Sequence, residues 1–261
     1  TTIDQLNLQA GDVIDVAAGE KIRAVSPDVV MAMADLNGDT EWFRMMANEQ
    51  GCGYFSDDAQ SITVNKPGCV AALETLKGMK DAGVLAAGNW DEKIQSNNAG
   101  TVATQMYGGW YEGTVRSTAP EDQAGKWGVY AMPSMSAEGN HAANLGGSSL
   151  AIASTSDSPE AAFAFLKHAL TTNEGQVKML KEYGLVPSLL TAVDDPYVAE
   201  TQAFWGDQAV WQTILETLPR VAPSRGTAFF GDADGIMRTV QTGYLNGSYE
   251  SAQAALDDAA H

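Results

Sequence analysis

Histidine is the side chain most used to move protons near neutral pH, and this sequence holds three: His141, His168 and His261. His168 falls inside an apolar helical stretch and His261 is the last residue. No Gly-x-Ser-x-Gly elbow, His-Glu-x-x-His pair, phosphate-cradling glycine loop or dinucleotide fingerprint occurs. Gly146-Gly147-Ser148-Ser149 shares residue types with a nucleophile loop but not its spacing. Acidic residues number 33, so two of them near one another say little for glycosidase chemistry. Asp35-Leu36-Asn37-Gly38-Asp39 alternates oxygen ligands as a calcium loop does. Its glycine is one position out of place, however, and the closing bidentate glutamate is missing, so a polar turn is expected there. The residue types make a weak case for an enzyme and none for a bound cofactor or metal.

Aromatic residues among carboxylates and glycines suggest a different chemistry. Gly108-Gly109-Trp110-Tyr111-Glu112 follows a β-type run. A tryptophan on a loop beside two glycines is poorly placed for a core and well placed to offer its face to a ligand. Sugars carry apolar C–H faces and a rim of hydroxyls, and they suit aromatic platforms flanked by carboxylates, amides and backbone groups. Asp39-Thr40-Glu41-Trp42 repeats the combination, and the stretch from Arg225 to Asp232, with Phe229 and Phe230, repeats it again. Any one of these also fits ordinary aromatic packing. Three in one chain favour a carbohydrate cleft.

The elements that must position these residues are legible as an α/β pattern: short apolar β-type runs alternate with amphipathic helices, without internal repeats. Strands are expected over Val29–Met33, Thr101–Tyr107, Gly128–Met132 and Ser149–Ala153. Cys69–Ala82 places Val70, Leu73 and Leu76 on one helix face and stops at Gly83. Ser158-Pro159-Glu160 reads as a capped helix start, with Ala162, Phe163, Phe165, Leu166 and Leu170 forming an apolar stripe behind it. Further helices are expected over Glu174–Tyr183, around Trp211–Leu218, around Ile236–Tyr244, and from a Ser251 cap to Ala260.

Composition bounds the partners. Apolar residues make up 44% of the 261, enough for a packed core, and no run reaches the ~18 apolar residues of a membrane span. Thr1–Asp15 shows no signal-peptide pattern, so such a segment is expected to have been cleaved or to lie outside this sequence. The net charge of −18 repels phosphate backbones and argues against nucleic acid. The two cysteines, Cys52 and Cys69, match no metal spacing and leave two readings open: a loop-closing disulfide, or two free thiols.

Several segments together resemble a known family. Asn98-Ala99-Gly100-Thr101-Val102-Ala103-Thr104-Gln105-Met106-Tyr107-Gly108-Gly109-Trp110 is similar to its small-residue turn, its strand ending in Met, and its Gly-x-Trp. Trp127-Gly128-Val129-Tyr130-Ala131-Met132-Pro133, Gly146-Gly147-Ser148-Ser149-Leu150-Ala151-Ile152 and Ser158-Pro159-Glu160-Ala161-Ala162-Phe163-Ala164-Phe165-Leu166 follow in the family's order. Thr171-Thr172-Asn173-Glu174-Gly175-Gln176 and Val186-Pro187-Ser188 complete the set. The pattern resembles the family 1 extracellular solute-binding proteins, the group of maltose-binding protein.

The resemblance implies a periplasmic-binding-protein-like α/β fold of type II, a two-lobe hinged clamp with most of its N-terminal lobe absent from this sequence. Residues 1–145 and 197–261 would form the C-terminal lobe, and residues 146–196 would belong to the N-terminal lobe. The apolar faces of 146–196 would then stand exposed or be covered by another chain. The implied function is to bind a mono- or oligosaccharide in the periplasm or at the cell surface, as a periplasmic protein or lipoprotein, and to deliver it to an ABC transporter permease. Ligand bound between the lobes would favour closure, because only the closed state contacts it from both sides. Trp110 would stack on the sugar, with Trp42 and Phe230 as further aromatic walls. Asp39, Glu41, Glu112, Arg225 and Asp232 would bind hydroxyls, and Gly146, Gly147 and Ser148 would let backbone approach the ligand. Export favours a Cys52–Cys69 disulfide. The rival readings are a carbohydrate-active hydrolase and the same fold binding a polyol or cationic solute.

Overall fold

The computed structural model describes residues 30–136, 139–224 and 226–261. Its sheet is parallel, in the order β2-β1-β3, with β1 at Val30–Ala34, β2 at Leu85–Ala87 and β3 at Val102–Thr104. Ala32 pairs with Leu85, and Val30 with Val102. Parallel neighbours need crossover connections, usually helical. α1 (Glu41–Glu49) and α2 (Pro67–Asp81) lie between β1 and β2, and α3 (Trp90–Ala99) lies between β2 and β3. The strand over Thr101–Tyr107 is shorter than its apolar run suggests, and Leu85-Ala86-Ala87 carries no β-branched residue that would mark it as a strand.

Further along come α4 (Tyr111–Thr118), α5 (Pro159–Thr171), α6 (Asn173–Tyr183), α7 (Val210–Leu215), α8 (Phe230–Leu245) and α9 (Ala252–Ala259). α2 buries Leu73 and Leu76 and packs on α1, α8 and α9. Ser251 caps α9 by accepting from the Ala254 amide at 3.1 Å. Ser158 occupies the N-cap position of α5 but makes no capping bond, so the start there rests on Pro159.

The chain forms two compact units. The first comprises the residues up to Met106, Met132–Asn144 and Arg220–His261; the second comprises Tyr107–Ala131 and Leu145–Pro219. The second therefore takes in Tyr107–Ala131 and residues 197–219 together with 146–196, a grouping that differs from the expected three-part division. The physical reason is a shared core, in which Leu180 of α6 packs with Val198, Trp211 and Leu215.

Two expected strands do not form. Residues 128–132 and 149–153 pair with no strand among the described residues. A strand needs adjacent backbone to satisfy its amides and carbonyls. At Val129 the Gln208 side chain takes that part: its Oε1 accepts the Val129 N–H at 2.7 Å, and its Nε2 donates to the Val129 carbonyl.

The apolar faces of 146–196 divide. α5 buries no residue, and Leu150, Phe163 and Phe165 are 56%, 61% and 67% exposed. α6 instead buries Val177 and Leu180.

Candidate functional site

In the second unit, Trp110 stands at the N-terminal boundary of α4, half-buried. Its indole N–H donates to the Leu145 carbonyl at 3.0 Å, and Tyr107 and Tyr111 meet it edge-on, both at 5.9 Å between centroids. Two glycines make this approach possible. A Cβ on Gly108 would lie 2.4 Å from the Leu145 oxygen, and one on Gly146 would lie 2.9 Å from Trp110 Nε1. Gly146 also has φ 106°, and Gly147 has φ 95°, in the region that favours glycine. Gly146, Gly147 and Ser148 are exposed. The segment thus fixes an aromatic ring beside open, side-chain-free backbone.

Glu112, expected to receive ligand hydroxyls, is 4% exposed and already has partners. Its Oε1 accepts from Arg116 Nε and from Trp205 Nε1, each at 3.0 Å. The carboxylate works inside the fold, holding α4 to the Trp205 turn.

In the first unit, Trp42 is 4% exposed within α1, so the ring expected as a ligand wall is packed in the core. The neighbouring acids, Asp39 and Glu41, are half-buried. Asp39 Oδ1 accepts the Glu41 amide at 3.0 Å, and the buried Lys93 ammonium lies 4.0 Å from Asp39 Oδ2. Burial raises both carboxyls above their ordinary range; for Glu41 the negative charge of Asp39 adds to the effect. Phe230 opens α8, stacked on Tyr54 and beside Arg44, and Asp232 is exposed in the same first turn. Arg225 lies outside the described residues. Cys52 and Cys69 are joined, with Cα atoms 5.6 Å apart. Gly38 N–H donates to Asp35 Oδ1 at 2.7 Å, closing a polar turn in the calcium-like stretch. Among the described residues no group of three or more His, Cys, Asp or Glu is arranged to hold a metal.

Sequence reasoning overlooked Arg44, Tyr54, Lys93 and Asp234, which surround these residues. A signal for Asp234 did exist: it follows Phe230 by four positions, one helical turn.

Comparisons with known proteins identify the family. Residues 10–205 match the model of a family described as bacterial extracellular solute-binding protein. The chain is 32% identical over 219 residues to a lactose-binding protein of Rhizobium radiobacter, covering 83% of this chain and 51% of the relative. It is 27% identical over 253 residues to an arabinooligosaccharide-binding protein of Bacillus subtilis, covering 93% and 58%. The chain thus spans little more than half the length of these relatives. Among solved structures, the ABC transporter associated binding protein of B. animalis subsp. lactis, in complex with β-1,6-galactobiose, matches with TM-score 0.73 at 20% identity, covering 90% of this chain and 60% of that one. The sugar-binding protein MalE of Xanthomonas citri matches with TM-score 0.71 at 20% identity, covering 90% and 57%. The fold is that of the MalE-like binding proteins, and the chain belongs to the bacterial extracellular solute-binding protein family.

Proposed function

We propose that this chain binds a mono- or oligosaccharide in the periplasm or at the cell surface and delivers it, chemically unchanged, to the permease of an ABC transporter. The observation that carries the reading is the fixed Trp110 ring: half-buried, tethered through its N–H to Leu145 and set against glycine backbone. An aromatic face held still in this way is what the C–H face of a sugar requires, because little side-chain entropy remains to be lost on binding. Within the other unit, taken by itself, Asp39 and Glu41 offer acceptors for hydroxyls and Phe230 offers a ring. The likeness to a lactose-binding and an arabinooligosaccharide-binding protein supports a sugar ligand.

Calorimetry with lactose, β-1,6-galactobiose and maltotriose, followed by chromatography of the recovered sugar, tests the proposal. Binding of at least one, with the sugar recovered intact, is expected. Release of monosaccharide from any of them would convert the reading to a hydrolase, and no heat from all three would remove its support.

A further inference from the structure

The Phe230 ring is held by two neighbours that converge on one carboxylate. Tyr54 stacks on it with centroids 5.5 Å apart and planes at 28°, and the Arg44 guanidinium carbon lies 5.4 Å from its centroid. Asp234 Oδ1 accepts from the Tyr54 hydroxyl at 2.9 Å and from the Thr40 hydroxyl at 2.5 Å, and it lies 3.8 Å from Arg44 Nε. The two hydroxyl oxygens are 3.0 Å apart, which closes a triangle around the carboxylate oxygen. Arg238 Nε lies 3.5 Å from the other oxygen, Oδ2, at a more exposed position. Burial raises the Tyr54 phenol well above its ordinary range, so it remains a hydroxyl donor at neutral pH.

Three separate parts of the first unit meet at this point: Thr40 at the start of α1, Tyr54 in the segment after it, and α8. Asp234 is one turn beyond Phe230 on α8, so ring and carboxylate share a helix face. Hydroxyls that donate to an ionised carboxylate form shorter and stronger bonds than those between neutral groups. Stacking alone would leave the Tyr54 ring free to slide across Phe230; the two hydroxyl bonds fix where it sits.

We propose that Asp234 is a positioning residue for Phe230, locking Tyr54 and Arg44 against the ring so that it is presented in one orientation. That the ring serves as a platform for sugar rests on the function proposed above; that Asp234 fixes the ring does not.

The test places 4-fluorophenylalanine at position 230 and follows its ¹⁹F resonance in the absence of ligand, with circular dichroism to confirm folding. The otherwise unaltered protein should give one narrow line displaced from the unfolded position. Asp234→Ala should broaden that line and move it toward the unfolded position. Asp234→Asn keeps an oxygen that accepts hydroxyls and should restore most of the displacement, while Arg238→Gln should leave it unchanged. Where Asp234→Ala fails to fold, Tyr54→Phe serves instead, since it retains the ring and loses the hydroxyl, and it should move the line. A line of unaltered position and width in folded Asp234→Ala or Tyr54→Phe overturns the proposal, as does an Asn variant no better than Ala. Lactose affinity, measured on the same proteins, should fall about tenfold in Asp234→Ala, the scale of a loosened aromatic anchor. If the unaltered protein binds no sugar while the fluorine shifts follow this pattern, the platform reading fails and the positioning role stands.

Discussion

Trp205 donates its indole N–H to Glu112 Oε1 at 3.0 Å, and the same oxygen accepts from Arg116 at 3.0 Å. A carboxylate so engaged and so buried ties α4 to Trp205 within the fold. Glu112→Ala strands a buried indole donor, and leaving such a donor unsatisfied costs about 1–3 kcal/mol. Urea denaturation should show a loss of that size, with Glu112→Gln losing less. A loss under about 0.5 kcal/mol, the range of an ordinary surface substitution, would mean that the Trp205 bond does little for the fold.

Gly146 and Trp110 form a second such pair. Gly146→Ala adds a Cβ 2.9 Å from the indole nitrogen at a residue with φ 106°, so either the backbone or the ring must move. Weaker sugar binding and an altered tryptophan fluorescence maximum are expected together. Trp110→Ala should cost about 2 kcal/mol of binding by calorimetry, as the loss of a central aromatic anchor does. Unchanged affinity in both variants would remove Trp110 from the site.

The Cys52–Cys69 bond ties the segment after α1 to the first turn of α2 across a separation of 17 residues. Closing a loop of that length in the unfolded chain is worth about 3 kcal/mol. Thiol titration under denaturing, non-reducing conditions should find no free thiol, and a reductant should lower the melting temperature. Two titratable thiols would contradict the bond.

The acids of the α1 start set a pH dependence. Burial, followed by the charge of Asp39, raises the Glu41 carboxyl above its ordinary 4.5, so the folded chain holds that proton to higher pH than the unfolded chain does. Stability contributed here is therefore lost as pH rises from about 4.5 through the folded value. Glu41→Gln removes that loss, so its melting temperature relative to the parent should be higher at pH 7 than at pH 4. A relative melting temperature that falls over that interval would mean the carboxyl is stabilised as an anion.

What the sequence disclosed follows from how local each signal is. The Ser251 cap, Pro159 at a first turn and Gly184 after α6 depend on neighbours within a few residues, and each marks its helix. Asp39-Thr40-Glu41-Trp42 carries the residue types of a sugar site, yet Trp42, Phe43, Met45 and Met46 are the buried face of a helix whose polar start those residues form. Asp234 was one carboxylate among 33, and nothing local shows that Tyr54, 180 positions away, donates to it. The strand expected over 128–132 failed for a related reason, since whether backbone or a distant Gln208 side chain will satisfy Val129 is not a local property.

α5 and α6 present the same periodic apolar pattern in sequence and meet different fates. Phe163 and Phe165 of α5 are 61% and 67% exposed, whereas Leu180 of α6 is 0% exposed against Trp211 and Leu215. Periodicity shows that a face is apolar and is silent on what covers it. The two helices should therefore respond oppositely to substitution. Leu180→Ala opens a cavity in a packed core and should cost about 2–5 kcal/mol in urea denaturation. Phe163→Ser and Phe165→Ser remove rings that already stand in water, so each should change stability by less than about 0.5 kcal/mol, as exposed positions do. Together they should also reduce the binding of ANS, a dye that reports exposed apolar surface. A cost above about 2 kcal/mol for the serine variants, which is the range of core truncation, would mean that another surface, such as a second copy of the chain, covers the α5 face in solution. Sedimentation of the same variants would then show a change in the state of association.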